Sequence, residues 1–301
     1  MSRGWIRRIE WPTIALVAVA YLAWFWLAFR GEILPSAVWL VAAAALTALY
    51  WSLVHEVVHG HPTSNRWFNF ALVAVPLGWF YPLGRFHDGH LEHHASGALT
   101  DPFDDSESWY LAQRDWNKLS PPTRMLLTVN NTLAGRLTIG VAITVWRMLI
   151  TDLKLLGGPW ERGRAVAVAW LAHLPGVFAL ALLLSSFSAI PWWQFAIAAY
   201  AGAAIILIRT FLEHQASEHK GERTVIIEDK GPLAFLFLFN NLHCVHHARP
   251  GLAWYRLPGF YHRHRAQFIR RNNGYVYSSY WQVFRRHFLV PKEPVAHPFV
   301  A

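Results

Sequence analysis

The sequence predicts an all-α integral membrane protein, organised as a single domain over residues 1–301. Hydrophobic residues make up 54% of the chain and charged residues only 15%, and the mean hydropathy is positive. Soluble domains carry more charge than this. Four apolar runs each come near the ~20 residues that a helix needs to cross a bilayer. They cover residues 11–29, 33–54, 165–185 and 192–208.

The four runs form two predicted hairpins. Arg30-Gly31-Glu32 joins the first pair of runs, and a short turn at 188–191 joins the second. Both connections therefore face one side of the membrane, which holds only Arg30 of the 27 lysines and arginines. Because cytoplasmic loops carry the excess of these residues, both termini are predicted to be cytoplasmic, with Arg3, Arg7 and Arg8 near the first. This distribution accounts for most of the net charge of +9 without a nucleic-acid partner.

The beginning of the chain resembles a signal peptide, since arginines precede an apolar run. That run, 11–29, is too long for the hydrophobic segment of a signal peptide. It is followed by Arg30 rather than by a cleavage site of small residues. We interpret it as a retained transmembrane helix.

Two weaker apolar stretches, 67–83 and 125–150, are interpreted as interfacial or re-entrant segments that lie along the membrane surface. The first contains two prolines and a glycine, and the second contains polar and basic residues. If either stretch crossed the membrane once, the histidines described below would lie on opposite sides and could not share one site. We therefore expect four crossings and a histidine-rich cytoplasmic cap.

Three histidine boxes are the main functional signal. Two have histidines at i, i+3 and i+4, and one has a pair at i and i+4; these spacings place the side chains on one face of a helix. Imidazole is a common ligand of iron, zinc and copper. Eight histidines are more than one zinc ion uses, so the count predicts two metal ions. The boxes comprise His55 and His59; His90, His93 and His94; and His243, His246 and His247.

The order and spacing of the boxes resemble the membrane fatty acid desaturase superfamily, which also includes alkane hydroxylases and carotenoid ketolases. The resemblance extends from His55 to about Pro294, and the stretch 250–258 looks like that of short bacterial members. It implies two iron ions held by the eight box histidines, with His214, after the fourth run, as a ninth ligand. His55 and His59 are expected just past the end of the second helix. The fourth helix is expected to continue beyond its apolar run to His214, because no proline or glycine intervenes. The resemblance also implies a bacterial inner membrane. The first box has three intervening residues, whereas animal acyl-CoA desaturases have four, so a coenzyme A substrate is not implied.

The same resemblance implies the chemistry and the partners. Side chains cannot oxidise an unactivated C–H bond, but two irons with O2 as co-substrate can, which gives desaturation of a fatty acyl or related membrane lipid. The sequence has no dinucleotide fingerprint and no appended haem or iron–sulfur module, so electrons must come from a donor such as ferredoxin and its reductase. The basic run 262–271 is interpreted as ordinary cytoplasmic charge or, alternatively, as a dock for an acidic ferredoxin.

Several neighbouring residues have weaker roles. The acids next to the boxes are candidates for orienting ligand histidines. The single cysteine, Cys244, excludes an intramolecular disulfide and is interpreted as a small buried side chain. The remaining histidines near the site are predicted to form hydrogen bonds or face solvent, and His173 is placed beside the proline of the third run. The acids are Glu56, Asp88, Glu92 and Glu213, and the other histidines are His61, His87 and His219.

Other activities remain open from the sequence. A hydroxylase or an oxidative decarboxylase would use the same scaffold. His55-Glu56-Val57-Val58-His59 also matches a zinc peptidase motif with Glu56 as base, but that leaves six box histidines unexplained. A haem or metal carrier would need histidines inside facing helices. Metal analysis separates these classes: two irons, one zinc, or haem absorbance.

Overall fold

The structure is a computed structural model that describes residues 9–300, so Arg3, Arg7 and Arg8 lie outside the described residues. Within that range the named elements are helices, apart from one parallel pair of two-residue strands, β1 and β2. The elements in chain order are α1 (Trp11–Arg30), α2 (Ser36–Val58), α3 (Arg66–Leu72), α4 (Leu83–Ser96), α5 (Gln113–Lys118), α6 (Pro121–Asn130), α7 (Leu133–Leu156), α8 (Trp160–Phe187), α9 (Trp192–Thr210), β1 (Ile226–Ile227), α10 (Pro232–Leu236), α11 (His243–Ala248), α12 (Leu257–Arg271), β2 (Val276–Tyr277) and α13 (Tyr280–His287).

The chain divides into two compact units. The first comprises the chain up to Arg85 together with Asp152–Ala203, and the second comprises Phe86–Thr151 together with the chain from Ala204. In the first unit the rings of Trp24 and Trp39 contact Phe195, with centroids 5.4 and 5.0 Å away. Gly202 permits close packing, because a Cβ there would lie 2.6 Å from Cβ of Thr47. Aromatic and small residues thus hold α1, α2 and α9 together.

The two hairpin connections lie together, as the sequence predicts. The first contains a 3₁₀ turn at Gly31–Ile33. The hydroxyl of Ser188, in the second connection, donates a hydrogen bond to the carbonyl of Ala28 at the end of α1. This bond joins the two turns at one end of the first unit.

Between residues 9 and 300, five helices, rather than four, are long and apolar enough to cross a membrane by length and composition. The additional one is α7, which includes most of the stretch predicted as interfacial at 125–150. The stretch 67–83 is too short to cross as a helix, because α3 has only seven residues. The second and third predicted runs also shift, from 33–54 to Ser36–Val58 and from 165–185 to Trp160–Phe187. A prediction from apolar runs alone misses such helix ends, because these helices continue into polar residues.

The second unit has two apolar clusters. One packs Tyr280 and Val283 of α13 against Phe211 and Leu212, which follow α9. The other packs Cys244 and Val245 of α11 against the inner face of α12, which includes Leu257, Tyr261 and Phe268. Cys244 is therefore a buried apolar side chain, as predicted. The clusters support the segments that carry the histidines of this unit.

Candidate metal centre

The histidine boxes lie on helices, as their spacing predicts. His243, His246 and His247 occupy α11, and the second box lies in the last two turns of α4. In the first unit His55 lies in the last turn of α2 and His59 caps it, with ring centroids 4.8 Å apart. The prediction that this pair lies beyond the helix is wrong, since α2 continues to Val58.

Four histidines of the second unit converge on one point. Each of His93, His214, His243 and His247 offers a ring nitrogen, and these four nitrogens lie within 4.8 Å of one another. The Nε2 atom of His214 lies 3.0 Å from Nε2 of His93 and 3.2 Å from Nε2 of His243. Two nitrogens that bind one ion at about 2.1 Å and at right angles are about 3 Å apart. The cluster therefore has the dimensions of a metal's coordination shell.

Hydrogen bonds on the opposite side of the rings fix the tautomers. Nδ1 of His93 lies 2.6 Å from a carboxylate oxygen of Asp105. Nδ1 of His243 lies 3.3 Å from the side-chain oxygen of Asn240 and 3.4 Å from a carboxylate oxygen of Glu213. These oxygens accept, so each Nδ1 carries the hydrogen and each Nε2 of the neutral ring presents a lone pair.

These lone pairs fit a cation. When all three rings are neutral, Nε2 of His214 faces the Nε2 lone pairs of His93 and His243, and a single N–H on it could donate to only one of them. In addition, Nε2 of His247 is buried and has no hydrogen-bond partner among the described residues. Buried polar atoms are normally paired. One metal ion bound by the four rings would satisfy every one of these nitrogens.

The remaining box histidines of this unit form an adjacent group. Nε2 of His246 lies 3.1 Å from Nε2 of His94, and the rings of His90 and His246 are stacked with centroids 6.3 Å apart. Nδ1 of His90 donates to a carboxylate oxygen of Glu107 at 2.8 Å. The stacked rings of His94 and His247, 4.2 Å apart, connect this group to the first cluster.

The electrostatic environment keeps most of these rings neutral. Burial, together with neighbouring histidines, lowers the pKa values of His214, His243 and His247 well below normal, and lowers that of His94 to about 3. Burial alone would also lower the pKa of His93, but the charges of Glu107 and Asp105 outweigh it and raise that pKa to about 9. Neutral imidazoles are ready to bind metal at neutral pH, whereas His93 must release a proton to bind a metal there, because its pKa is about 9. The acids beside His93 would then offset part of the ion's charge.

His214 reaches the cluster by extended backbone pairing. The expectation that the fourth helix continues to His214 is wrong, because α9 ends at Thr210. His214 instead forms an antiparallel bridge with Thr224, with bonds from Val225 N to Glu213 O and from Gln215 N to Arg223 O. Val225, which follows Thr224, also positions α11, because the Val225 carbonyl accepts from Cys244 N. One segment thus places His214 beside His243.

The carboxylates near the ligands differ from those expected. Asp88 and Glu92 are exposed, and Asp88 pairs with His87. Asp105 and Glu107, which the sequence analysis missed, accept from His93 and His90. The sequence signal that could have identified these two residues is the group of acidic residues shortly after the second histidine box. Glu213 fulfils its predicted role beside His243 and also pairs with Arg209 at 2.8 Å.

The structure also shows the surroundings of the other residues singled out from the sequence. In the first unit His61 donates to Glu10, His173 Nε2 bonds to the carbonyl of Trp79 at 2.8 Å, and Glu56 is buried. In the second unit His219 is exposed. The predicted hydrogen-bonding or solvent-facing roles of His61, His87 and His219 are therefore confirmed.

A C-terminal segment that the sequence analysis did not single out supports the site. The ammonium of Lys292 donates to the carbonyl of His214 and pairs with Glu293 at 3.0 Å. The carboxylate of Glu293 accepts from Tyr110, whose oxygen in turn accepts from Ala216 N at 2.9 Å. This network fixes the loop that carries His214 to the loop that follows Asp105 and Glu107.

Apolar helices and converging imidazoles together define a metal-binding protein of the membrane. The chain belongs to the fatty acid desaturase family, whose model matches residues 33–281. It is therefore an oxidoreductase of lipid metabolism. A search of curated proteins found no match.

The first prediction concerns His214. His214→Ala should lose about as much bound metal as His243→Ala, because both rings contribute a nitrogen to the same four-membered cluster. His87→Ala is the matched control, since His87 is paired with the neighbouring Asp88 and is not a member of the four-histidine cluster. Metal content of the purified variants measures the effect. Wild-type metal content in His214→Ala would exclude it from the ligands.

The second prediction concerns Asp105. Asp105→Asn should weaken metal retention by roughly 10–100-fold, because the carboxylate orients His93 and increases its basicity. Asp101→Asn is the control: Asp101 lies in the same loop, and its carboxylate accepts from the backbone amides of Phe103 and Asp104. Titration with a chelator compares the two variants. Equal retention would show that Asp105 does not tune the ligand.

Proposed function

We propose that this protein is an O2-dependent di-iron enzyme that desaturates a fatty acyl or related aliphatic chain. Family membership supports the reaction class. The observation that carries the metal assignment is the convergence of Nε2 atoms from His93, His214 and His243. Two irons, when bound, supply the oxidising power that removing hydrogen from an unactivated C–H bond with O2 requires.

The proposed ligand set contains nine histidines. One ion takes the four-histidine cluster, and the second takes the adjacent group of the second unit. From the sequence motif and the family resemblance, we propose that the His55–His59 pair supplies further nitrogens to the second ion. The full set is His55, His59, His90, His93, His94, His214, His243, His246 and His247.

The protein's own groups prepare and protect this site. Asp105, Glu107 and Glu213 each contact Nδ1 of a proposed ligand ring and so orient that ring. His93 and His243 are both about 1% exposed, so water has little access to the ligand atoms. Exclusion of water limits side reactions of a strong oxidant. The zinc peptidase alternative leaves the four-histidine cluster without a role.

We propose that an acidic donor such as ferredoxin, with its reductase, binds the basic face of α12. Arg263, Arg270 and Arg271 are exposed there. The opposite face of α12 packs on Cys244 and Val245 of α11, whose histidines form the metal site. Packed helices have axes about 8–10 Å apart, so a donor on α12 would be separated from the ligand helix by one layer.

We also propose that the termini and the histidine-rich cap face the cytoplasm of a bacterial cell, with four crossings. In this arrangement α7 lies on the cap side. Two contacts support this placement of α7. The guanidinium carbons of Arg136 and Arg147 lie 3.5 and 4.9 Å from the centroid of the Trp109 ring. Trp109 follows the loop of Asp105 and Glu107, so about 16 Å of α7 lies along that loop.

The third prediction tests the reaction. The purified protein, reconstituted in lipid with ferredoxin, its reductase and O2, should convert fatty acyl chains to products two mass units lighter, and His246→Ala should abolish this conversion. Mass spectrometry of the lipids detects the products. Products 16 mass units heavier would indicate a hydroxylase, and chain shortening would indicate a decarboxylase.

The same assay tests the donor surface. Turnover should fall steeply as salt is raised, because charge pairs between an acidic donor and α12 are screened. A chemical reductant that replaces the ferredoxin serves as the control and should show little salt dependence. Equal salt dependence with both reductants would place the donor elsewhere.

The fourth prediction tests orientation. Single cysteines between 99 and 120 should react with a membrane-impermeant maleimide only after the cells are opened, because the positive charge of this protein lies on the cap side. The native Cys244 is 1% exposed and provides a low background. Labelling of these positions in intact cells would overturn the four-crossing arrangement.

A further inference from the structure

The second unit exposes an apolar surface that plays no part in the metal site. Phe288, Leu289 and Val290 directly follow α13, and all three are exposed, Leu289 at 74%. Met125, Leu126 and Val129 of α6 are also exposed, Met125 at 68%. Large apolar side chains gathered on a surface indicate a partner or a membrane.

These two segments are adjacent although about 160 residues separate them in sequence. The amide of Ala134 donates to the carbonyl of Phe288 at 2.9 Å, and the amide of Lys292 donates to the carbonyl of Asn131 at 3.1 Å. The chain after α13 therefore runs beside the junction of α6 and α7. We call the exposed set Met125, Leu126, Val129, Phe288, Leu289 and Val290 the apolar patch.

The groups around the apolar patch favour lipid as its occupant. Arg285 and Arg286 are exposed on α13, and Trp281 is 71% exposed one turn earlier. Arginine and tryptophan beside exposed aliphatic residues are typical of helices that lie in the membrane interface, where the cations meet lipid phosphates. The patch is also continuous with α7, an apolar helix that exposes Trp146.

We propose that the apolar patch is an in-plane membrane anchor, seated at the boundary between lipid headgroups and acyl chains. The side of the anchor that faces the protein interior contacts the segment that carries His214. Val283 of α13 belongs to the same buried cluster as Phe211 and Leu212, and Lys292 donates to the carbonyl of His214. The depth of the anchor therefore fixes the height of His214 above the acyl chains.

Fluorescence quenching tests this anchor in the full chain in lipid vesicles. Leu126→Cys and Leu289→Cys are labelled with a small fluorophore, and Gln267→Cys, exposed on α12, is the control. Val129→Cys and Val290→Cys replace either variant that does not fold. We expect lipids with a nitroxide on the acyl chain to quench the patch labels strongly and the control weakly. Aqueous iodide should show the opposite order.

Two results would overturn the proposal. Patch labels quenched by iodide and not by nitroxide lipid would show that water covers the surface. Patch labels protected from both quenchers would show that protein, such as a second copy of this chain, covers it. Because neither quencher reports on metal, the result is independent of the proposed function; the metal content of the same samples tests that separately.

Discussion

The interaction on which the second unit depends is the approach of imidazole lone pairs to one another. Nε2 of His214 lies about 3 Å from two other Nε2 atoms, each on a ring whose hydrogen is held on the far side by an oxygen. Such an arrangement is repulsive or unsatisfied without a cation and favourable with one. The surrounding carboxylates follow from this, because a buried positive charge requires nearby negative charge.

The histidines are brought together by a few irregular segments rather than by the long helices. The segment 223–227 pairs with the His214 loop on one side, and it accepts the Cys244 amide at the start of α11 on the other. β2 pairs with β1 and continues the same small network. Backbone hydrogen bonds of this kind set relative positions more tightly than apolar contacts, which lack direction.

A metal site that oxidises a lipid chain must also be placed at a defined depth. The side chain of Lys292 contacts the carbonyl of His214, while its backbone amide bonds to Asn131 at the end of α6. A single residue thus joins a proposed ligand to the helix that carries half of the apolar patch. The same hydrogen bonds therefore position both the proposed ligand His214 and the apolar patch.

The sequence by itself determined the features that repeat with the period of a helix. The apolar runs predicted four of the five candidate spans, and the i, i+3, i+4 spacing placed two boxes correctly on α4 and α11. Neighbouring residues on one helix share a face whatever the rest of the chain does, so local spacing was sufficient. The family followed from the same boxes.

Only the tertiary structure decided how His214 reaches the cluster and which acids orient the ligands. His214 was expected on an extended helix but lies on a bridge to Thr224, and Asp105 and Glu107 lie in a loop without periodicity. The apolarity of α7 likewise did not reveal that Arg136 and Arg147 enclose Trp109. These features depend on pairing between residues distant in sequence, and the local pattern of a chain carries no record of such pairs.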